Sequence, residues 1–310
     1  MNKAFETPIL FLIFNRPDTT LQVFNRLKVL KPKYLYVAAD GPRESKTNEL
    51  EKCEETRNII KQINWDCELK TLFREKNLGC GKAVSSAISW FFDNVEEGII
   101  LEDDCLPSLS FFKFSSELLE KYRTDQRIWH ISGYNLQEGK KRGSADYYFS
   151  QETPIWGWAT WRRVWKHYNL TLESLSELEK TSSKVSLKVS KIHSLTALYD
   201  YRKVTAGKVD TWDYQYSYYQ LVNHGLSIVP NSNLVENIGF TPDATHQNKQ
   251  KDTFIANKAT DVDYSEMKHP LFVLPHVEAD KYTYNKRTRL IKKIYIMLWF
   301  YLFYRNPNKQ

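Results

Sequence analysis

An apolar run of strand length, Gly98-Ile99-Ile100-Leu101, stops at three consecutive carboxylates, Glu102-Asp103-Asp104, and Cys105-Leu106-Pro107 follows. Proline cannot donate to a ladder, so the strand does not continue as an interior one and the acids are left at its C-terminal end. In an open α/β sheet that edge is where ligands bind. Three clustered negative charges repel one another unless a cation or a polyol shares the site. Oxygen donors at this spacing suit a hard divalent ion, Mg²⁺ or Mn²⁺, which keeps coordination positions for substrate phosphates. The plainer reading is a solvated acidic turn; against it stands the continuity of the apolar run, the pattern of a strand buried on both faces.

The residues before this strand alternate in the same way. Pro8 to Phe14 is an apolar run broken by Asn15-Arg16-Pro17-Asp18, and Asp18 is placed to cap a helix over Thr19 to Leu30. Lys33 to Ala39 reads as the next strand and stops at Asp40, before the turn signal Gly41-Pro42-Arg43. A polar helix from about Thr47 to Ile63, a strand over Leu69 to Phe73, the break Asn77-Leu78-Gly79-Cys80-Gly81-Lys82 and a helix to Phe92 lead into the acidic strand. That order, βαβαβαβ, is the pattern of a parallel sheet with helices on both faces.

Three strand ends therefore bring polar groups to one edge: Asn15 and Arg16, Asp40, and Glu102 to Asp104. An acid there can accept hydrogen bonds from a base or ribose, while Arg16 can pair with phosphate. Taken singly, Asp40 is also a good turn former and Arg16 a good surface cation. Gly79-Cys80-Gly81-Lys82 has the flavour of a phosphate loop without its full spacing or a following Ser or Thr, and reads as a helix start where glycine lets backbone approach a ligand.

Composition narrows the classes. With 310 residues, 42% hydrophobic and 14% aromatic, the chain can bury one large core or two small ones. A net charge of +7 fits nucleic acid, a membrane surface or phosphorylated substrates, but no nucleic-acid motif or basic stripe with interleaved aromatics occurs before residue 280. Met1 to Glu6 lacks a signal-peptide layout, so the chain is expected to be cytosolic. Cys53, Cys67, Cys80 and Cys105 show no CxxC spacing and are expected as reduced thiols.

Beyond the acids, Phe111 to Tyr122 reads as a helix and Ile128 to Ser132 as a strand. Thr153 to Trp161 carries Trp156-Gly157-Trp158. Tryptophans this dense serve equally well as core or as platforms for C–H-rich sugar faces, with Gly157 giving the loop freedom to close. After a polar helical region, Leu172 to Lys203, the segment Val209-Asp210-Thr211-Trp212-Asp213 opens a helix through about Val222 and a strand follows at Leu226 to Val229.

In this order and spacing the chain resembles the GT-A-fold glycosyltransferases, the bacterial family-2-like transferases most and the eukaryotic N-glycan mannoside β-1,2-N-acetylglucosaminyltransferase more distantly. The match runs from about Pro8 to Phe240 and rests on Asn15-Arg16, Asp40, the Glu102-Asp103-Asp104 version of the DxD motif, Trp156-Gly157-Trp158, and Trp212-Asp213 ahead of Ile228-Val229-Pro230. The resemblance implies an α/β fold with a mixed, mainly parallel sheet flanked by helices, and a C-terminal helical tail. Residues 1–250 would form the catalytic domain, its nucleotide-binding half about 1–107 and its acceptor half about 108–250, followed by an irregular linker, 251–285, and a basic aromatic amphipathic tail, 286–310.

The same resemblance implies a Mn²⁺- or Mg²⁺-dependent hexosyl- or N-acetylhexosaminyltransferase of bacterial surface polysaccharide synthesis. It would take a nucleotide-diphosphate sugar, UDP-linked by preference, and a saccharide or lipid-linked acceptor. Asp104 would bind the metal, Glu102 and Asp103 the ribose and donor sugar, Asp40, Asn15 and Arg16 the base and diphosphate, and Trp156, Gly157 and Trp158 the acceptor. His246 is a candidate further metal ligand, and on the residues alone a surface histidine. The eukaryotic relatives carry two acids after the tryptophan; here Tyr214 follows Asp213, so Asp213 or Asp210 would fill the role of base. The parts read as single displacement with inversion.

Two other classes stay in competition. A sugar-1-phosphate nucleotidyltransferase is expected to carry a glycine- and arginine-rich loop after its first strand, which Asn15 to Asp18 is not; a non-catalytic sugar-nucleotide or carbohydrate-binding module has no need of both the acidic triplet and Asp213. In the tail, Arg287, Arg289, Lys292 and Lys293 precede the apolar run Ile294 to Tyr304. That run is about half the ~20 residues a spanning helix needs, so it reads as an interfacial helix on the inner face of an anionic membrane, or as a helix packed on the catalytic domain or a second subunit.

Overall fold

The computed structural model describes residues 4–182, 187–239, 258–288 and 290–304. In chain order the elements are β1 (Ile9–Ile13), α1 (Pro17–Leu30), β2 (Tyr34–Ala39), α2 (Glu49–Asn58), β3 (Glu68–Phe73), α3 (Cys80–Asn94), β4 (Glu97–Glu102), β5 (Cys105–Pro107), α4 (Leu109–Lys121) and β6 (Ile128–Ser132). There follow β7 (Tyr147–Ser150), β8 (Trp158–Trp161), α5 (Arg162–Trp165), α6 (Leu175–Ser182), α7 (Lys191–Thr205), α8 (Asp213–Val222), β9 (Leu226–Pro230), β10 (Val235–Asn237), α9 (Val277–Arg287) and α10 (Leu290–Tyr304).

Eight strands form one sheet in the order β3-β2-β1-β4-β8-β6-β9-β7, and β5 pairs with β10 in a separate two-stranded ribbon. β1 lies parallel to β2 and β4, and β2 parallel to β3. β8 runs antiparallel to both β4 and β6, and β7 antiparallel to β9. The sheet is thus mixed and mainly parallel, flanked by helices, with a helix at the C-terminal end. All five residues of β1 are buried, which is why it reads as an uninterrupted apolar run. Each such side chain contributes about 1.5–3 kcal/mol by leaving water.

The order β3-β2-β1-β4 has a direct consequence. The chain steps outward from β1 to β2 and β3, then α3 carries it back across to β4, so the loops leaving β1 and β4 diverge and open a crevice at their C-terminal ends. Arg16 and the three acids stand there.

Some local expectations give way. α1 begins at Pro17, whose missing N–H costs nothing in a first turn, and Asp18 lies inside that turn without capping it. Residues 277–285, expected as irregular linker, belong to α9. Its buried residues include Asp280 and Thr283, so no apolar period announces the helix. α10 packs one face on α7, with Ile296 and Phe300 buried beside Leu198 and Tyr201. Tyr199 meets Tyr295 and Trp299 edge-on at 5.9 and 5.5 Å. Among the described residues no helix is long and apolar enough to cross a membrane.

Candidate active site

The register of the parallel pair sets the site, because Leu12 of β1 lies beside Glu102 of β4. One residue further on, the Phe14 N–H donates to Asp103 Oδ2 at 3.2 Å. Arg16, at the head of α1, reaches back to both acids: its Nη2 lies 2.5 Å from Asp103 Oδ1 and 3.0 Å from Asp104 Oδ2. Burial works against the charge on Arg16, but Asp103 and Asp104 hold it.

One guanidinium does not balance three carboxylates. Burial, then the charges of Asp104 and Asp103, push the Glu102 carboxyl up to about 8. Burial likewise pushes Asp103 up to about 7 against the pull of Arg16. Glu102 Oε1 is sealed from solvent and has no hydrogen-bond partner among the described residues. A shielded, unpaired carboxylate oxygen costs about 1–3 kcal/mol or more, so this atom is one that a ligand hydroxyl or a cation would satisfy.

The ribbon of β5 and β10 brings a distant segment over the acids. Asn237 pairs with Cys105, Ile238 N–H donates to the Asp104 carbonyl at 2.8 Å, and Gly239 follows. A Cβ at residue 239 would overlap Asp104 Oδ2 and lie 2.8 Å from Arg16 Nη1, so only glycine allows this approach. Sequence reasoning passed over Gly239, because the three-residue strand before it has no local signature and its partner Asp104 lies far earlier in the chain.

The other strand-end residues are brought to the same edge, each already engaged. Asp40 accepts the Leu78 N–H at 3.0–3.1 Å, and burial raises its carboxyl. Asn15 donates to Glu49 at 2.9 Å, and Glu49, paired with Arg43, is buried at the start of α2. Neither Arg43 nor Glu49 stood out in the sequence, where both sit in an ordinary polar stretch.

Asp210 and Asp213 part company here. Asp210 Oδ1 accepts the Gly81 N–H at 3.0 Å, so its carboxylate sits on the N-terminal turn of α3, where the exposed amides favour an anion. What approaches Gly79 and Gly81 is therefore this side chain, and the phosphate-loop flavour of the segment is explained by an internal carboxylate. Asp213, the first residue of α8, accepts a hydrogen bond from the Thr211 hydroxyl and is half-buried. Its charge helps to raise Glu102. The thiol of Cys80, raised by burial, feels in turn Glu102, Asp213, Asp210 and Asp40, and so marks where the carboxylates of both halves converge.

The tryptophan segment divides. Trp158 is fully buried, stacked on Trp212 at 5.4 Å and on His130 at 5.2 Å, so its faces are core and offer nothing to an acceptor. Gly157 does not loosen the loop: its φ of +62° and the 2.7 Å from its Cβ position to Val235 Cγ2 fix a tight turn against β10. Trp156 alone remains half-exposed, edge-on to Tyr134 at 4.5 Å. His246 lies outside the described residues.

Among the described residues no group of three or more His, Cys, Asp or Glu could hold a metal ion by itself. The donor set nevertheless suits a hard cation that binds through one or two carboxylates and completes its shell with substrate phosphates. The unsatisfied Glu102 oxygen and the excess negative charge beside Asp104 fit that kind of ion.

No family model matches the chain, and no curated protein sequence matches it. Among solved structures it is similar to a cytidylyltransferase from Leptospira borgpetersenii, at 14% identity and a TM-score of 0.33, over 57% of this chain and 65% of that one. It is also similar to 4-diphosphocytidyl-2C-methyl-D-erythritol synthase from Anaerococcus prevotii, at 8% identity and a TM-score of 0.31, over 64% and 84%. A third neighbour is a UDP-glucose pyrophosphorylase complexed with UDP-glucose, at 13% identity and a TM-score of 0.29, over 52% and 78%.

Proposed function

We propose that the protein is a metal-dependent transferase acting on a sugar joined to a nucleoside diphosphate, and that it moves the sugar to a saccharide or lipid-linked saccharide acceptor. The observation that carries this reading is the unbalanced acid cluster at the β1/β4 crevice, with an unsatisfied Glu102 oxygen and with Asp213 arriving from the other half of the chain. Glu102 accepts a hydroxyl of the donor sugar or ribose, and Asp103 keeps Arg16 aimed along the crevice towards the diphosphate. Asn15 and Asp40 border the nucleoside end. Asp104 holds Mn²⁺ or Mg²⁺, which when bound offsets the charge that builds on the departing nucleoside diphosphate. Asp213 takes the proton of the acceptor hydroxyl as it attacks, a contribution of roughly 10²–10⁴-fold, and Trp156 offers its exposed face to the acceptor. Asp210 holds the start of α3 in place.

Joining a sugar 1-phosphate to a nucleoside triphosphate with release of pyrophosphate is the adjacent chemistry, and the UDP-glucose pyrophosphorylase among the structural neighbours bears a name of that class. The connection from β1 to α1 is only Phe14, Asn15 and Arg16, which leaves no glycine-rich loop to wrap a triphosphate. One assay separates the two. Nucleotide sugars with Mn²⁺ and a panel of saccharide acceptors are screened for nucleoside diphosphate release, beside nucleoside triphosphates with sugar 1-phosphates screened for pyrophosphate. Nucleoside diphosphate release supports sugar transfer. Pyrophosphate in the second arm alone replaces it with nucleotidyl transfer, and donor binding without turnover in either arm identifies a binding module.

A further inference from the structure

The geometry points to α10 as a docking element for a bilayer that carries anionic phospholipid. The inference stands apart from the catalytic reading. A helix rotates about 100° per residue, which divides α10 into two faces. Lys292, Ile296, Trp299 and Phe300 share one face and turn toward α7, where Lys292 pairs with Asp200 at 3.2 Å. Leu290, Ile291, Ile294, Met297 and Leu298 share the opposite face and are exposed, Ile291 at 81%. An unbroken apolar stripe left in water on a helix whose other side is already packed is what marks a contact surface rather than a core.

Charge identifies the occupant. From Lys281 to Gln310 the chain has eight Lys and Arg and no Asp or Glu; of these Lys286 pairs with Glu138, Arg287 lies 3.9 Å from Glu152 and Lys292 pairs with Asp200. A cleft of about 560 Å³ opens between α6, α7 and α10, lined by Arg202, Lys203, Lys208, Tyr199, Tyr295 and Trp299. Glu173 and Glu179 share that lining, and Arg202 pairs with Glu179. Cations and aromatic rings beside an apolar stripe are the combination that suits a phospholipid headgroup layer. A second copy of the chain fits less well, because a twofold contact would set the same cations against each other. At 15 residues α10 is about 22 Å long, short of the ~30 Å hydrocarbon core, so it lies in the interface plane.

The test is sedimentation of the full chain with phosphatidylglycerol–phosphatidylcholine vesicles and with phosphatidylcholine vesicles. Wild type is expected to pellet with the first and stay in solution with the second. Ile291→Glu/Leu298→Glu is expected to stay in solution with both while melting at the wild-type temperature, since both side chains already face water. Lys281→Gln/Lys293→Gln is expected to weaken partition roughly thirtyfold. Four results overturn the proposal: no pelleting, equal pelleting with neutral vesicles, unchanged pelleting of the glutamate variant, or a lower melting temperature of that variant. So does light scattering that finds a lipid-free dimer which the glutamate variant splits, because the face then belongs to a second copy.

Discussion

Two buried charge clusters in this molecule are built from similar side chains and end in opposite electrostatic states. At the end of β4, Glu102, Asp103 and Asp104 face a single cation, Arg16, and the carboxyls of Glu102 and Asp103 are pushed up to about 8 and 7. Between β7, α7 and α9, Glu152 accepts from His193 Nε2 at 2.9 Å and has Lys188 and Arg287 at 3.4 and 3.9 Å. Burial alone would raise Glu152, yet Lys188 and His193 hold it well below the usual carboxylate range. The second cluster supplies its own counterions and ties three elements together; the first sets one cation against three carboxylates, and the proposed function completes it with a cation and substrate. A buried acid therefore becomes a site by lacking partners, whatever its burial.

The largest expected effect is at the unbalanced cluster. Asp104→Ala should abolish sugar transfer and metal-dependent nucleotide binding without lowering the denaturation midpoint, because it relieves repulsion rather than breaking a balanced pair; full wild-type turnover in excess EDTA would refute the metal role. Asp213→Asn should lower kcat roughly 10²–10⁴-fold with donor affinity nearly kept. If Asp210→Asn alone loses turnover, the base is Asp210 and its contact with α3 is incidental. Glu152→Ala should do the reverse of Asp104→Ala. It leaves Lys188 buried without its carboxylate and is expected to cost about 3–5 kcal/mol in urea unfolding, with the nucleotide site unaffected in whatever remains folded.

The smallest effect sharpens the comparison within the second cluster. Asp280, fully buried, accepts from Ser150 and from the Gln151 N–H at 3.0 Å, and burial followed by the Glu152 charge pushes it up to about 6. The folded chain thus holds this proton to higher pH than the unfolded chain. Its contribution to stability is complete below the ordinary 3.8 and is lost as pH rises through about 6. Asp280→Asn should remove about 2 kcal/mol of downward slope between pH 4.5 and 6, measured as urea midpoints. An unchanged slope would mean that Asp280 is ionised throughout.

The sheet strands that were legible in the sequence, β1, β2, β3, β4, β6 and β9, are short runs rich in apolar residues, and all but β3 are buried. β1, β2 and β4 read as apolar runs, and their ends named Arg16, Asp40 and the three acids. β8 begins inside the segment expected as a loop, Trp156-Gly157-Trp158, and Trp158 to Trp161 shows no alternation to mark a strand. Inserted antiparallel between β4 and β6, it is covered on both sides and carries its tryptophans into the core. β5 and β10 are three residues each and exist only by pairing with one another, so neither has a local signature. Gly239 and the distinct role of Asp210 were hidden for the same reason. Their partners, Asp104 and Gly81, lie more than a hundred residues earlier in the chain, where no periodicity can register them.

The ribbon that joins Cys105 to Asn237 also sets when, during synthesis, this crevice can exist at all. The strands β1 to β4 and their helices are continuous in the chain and can pair as soon as they leave the ribosome, each through connections of modest length. The segment that closes over Asp104 emerges only after all of β6 to β9, so its contacts are among the most non-local in the fold and among the last to reward the entropy of loop closure. A nascent chain halted before Asn237 would carry a nearly finished sheet whose acid cluster stands open and uncapped, without the closed geometry of the finished crevice.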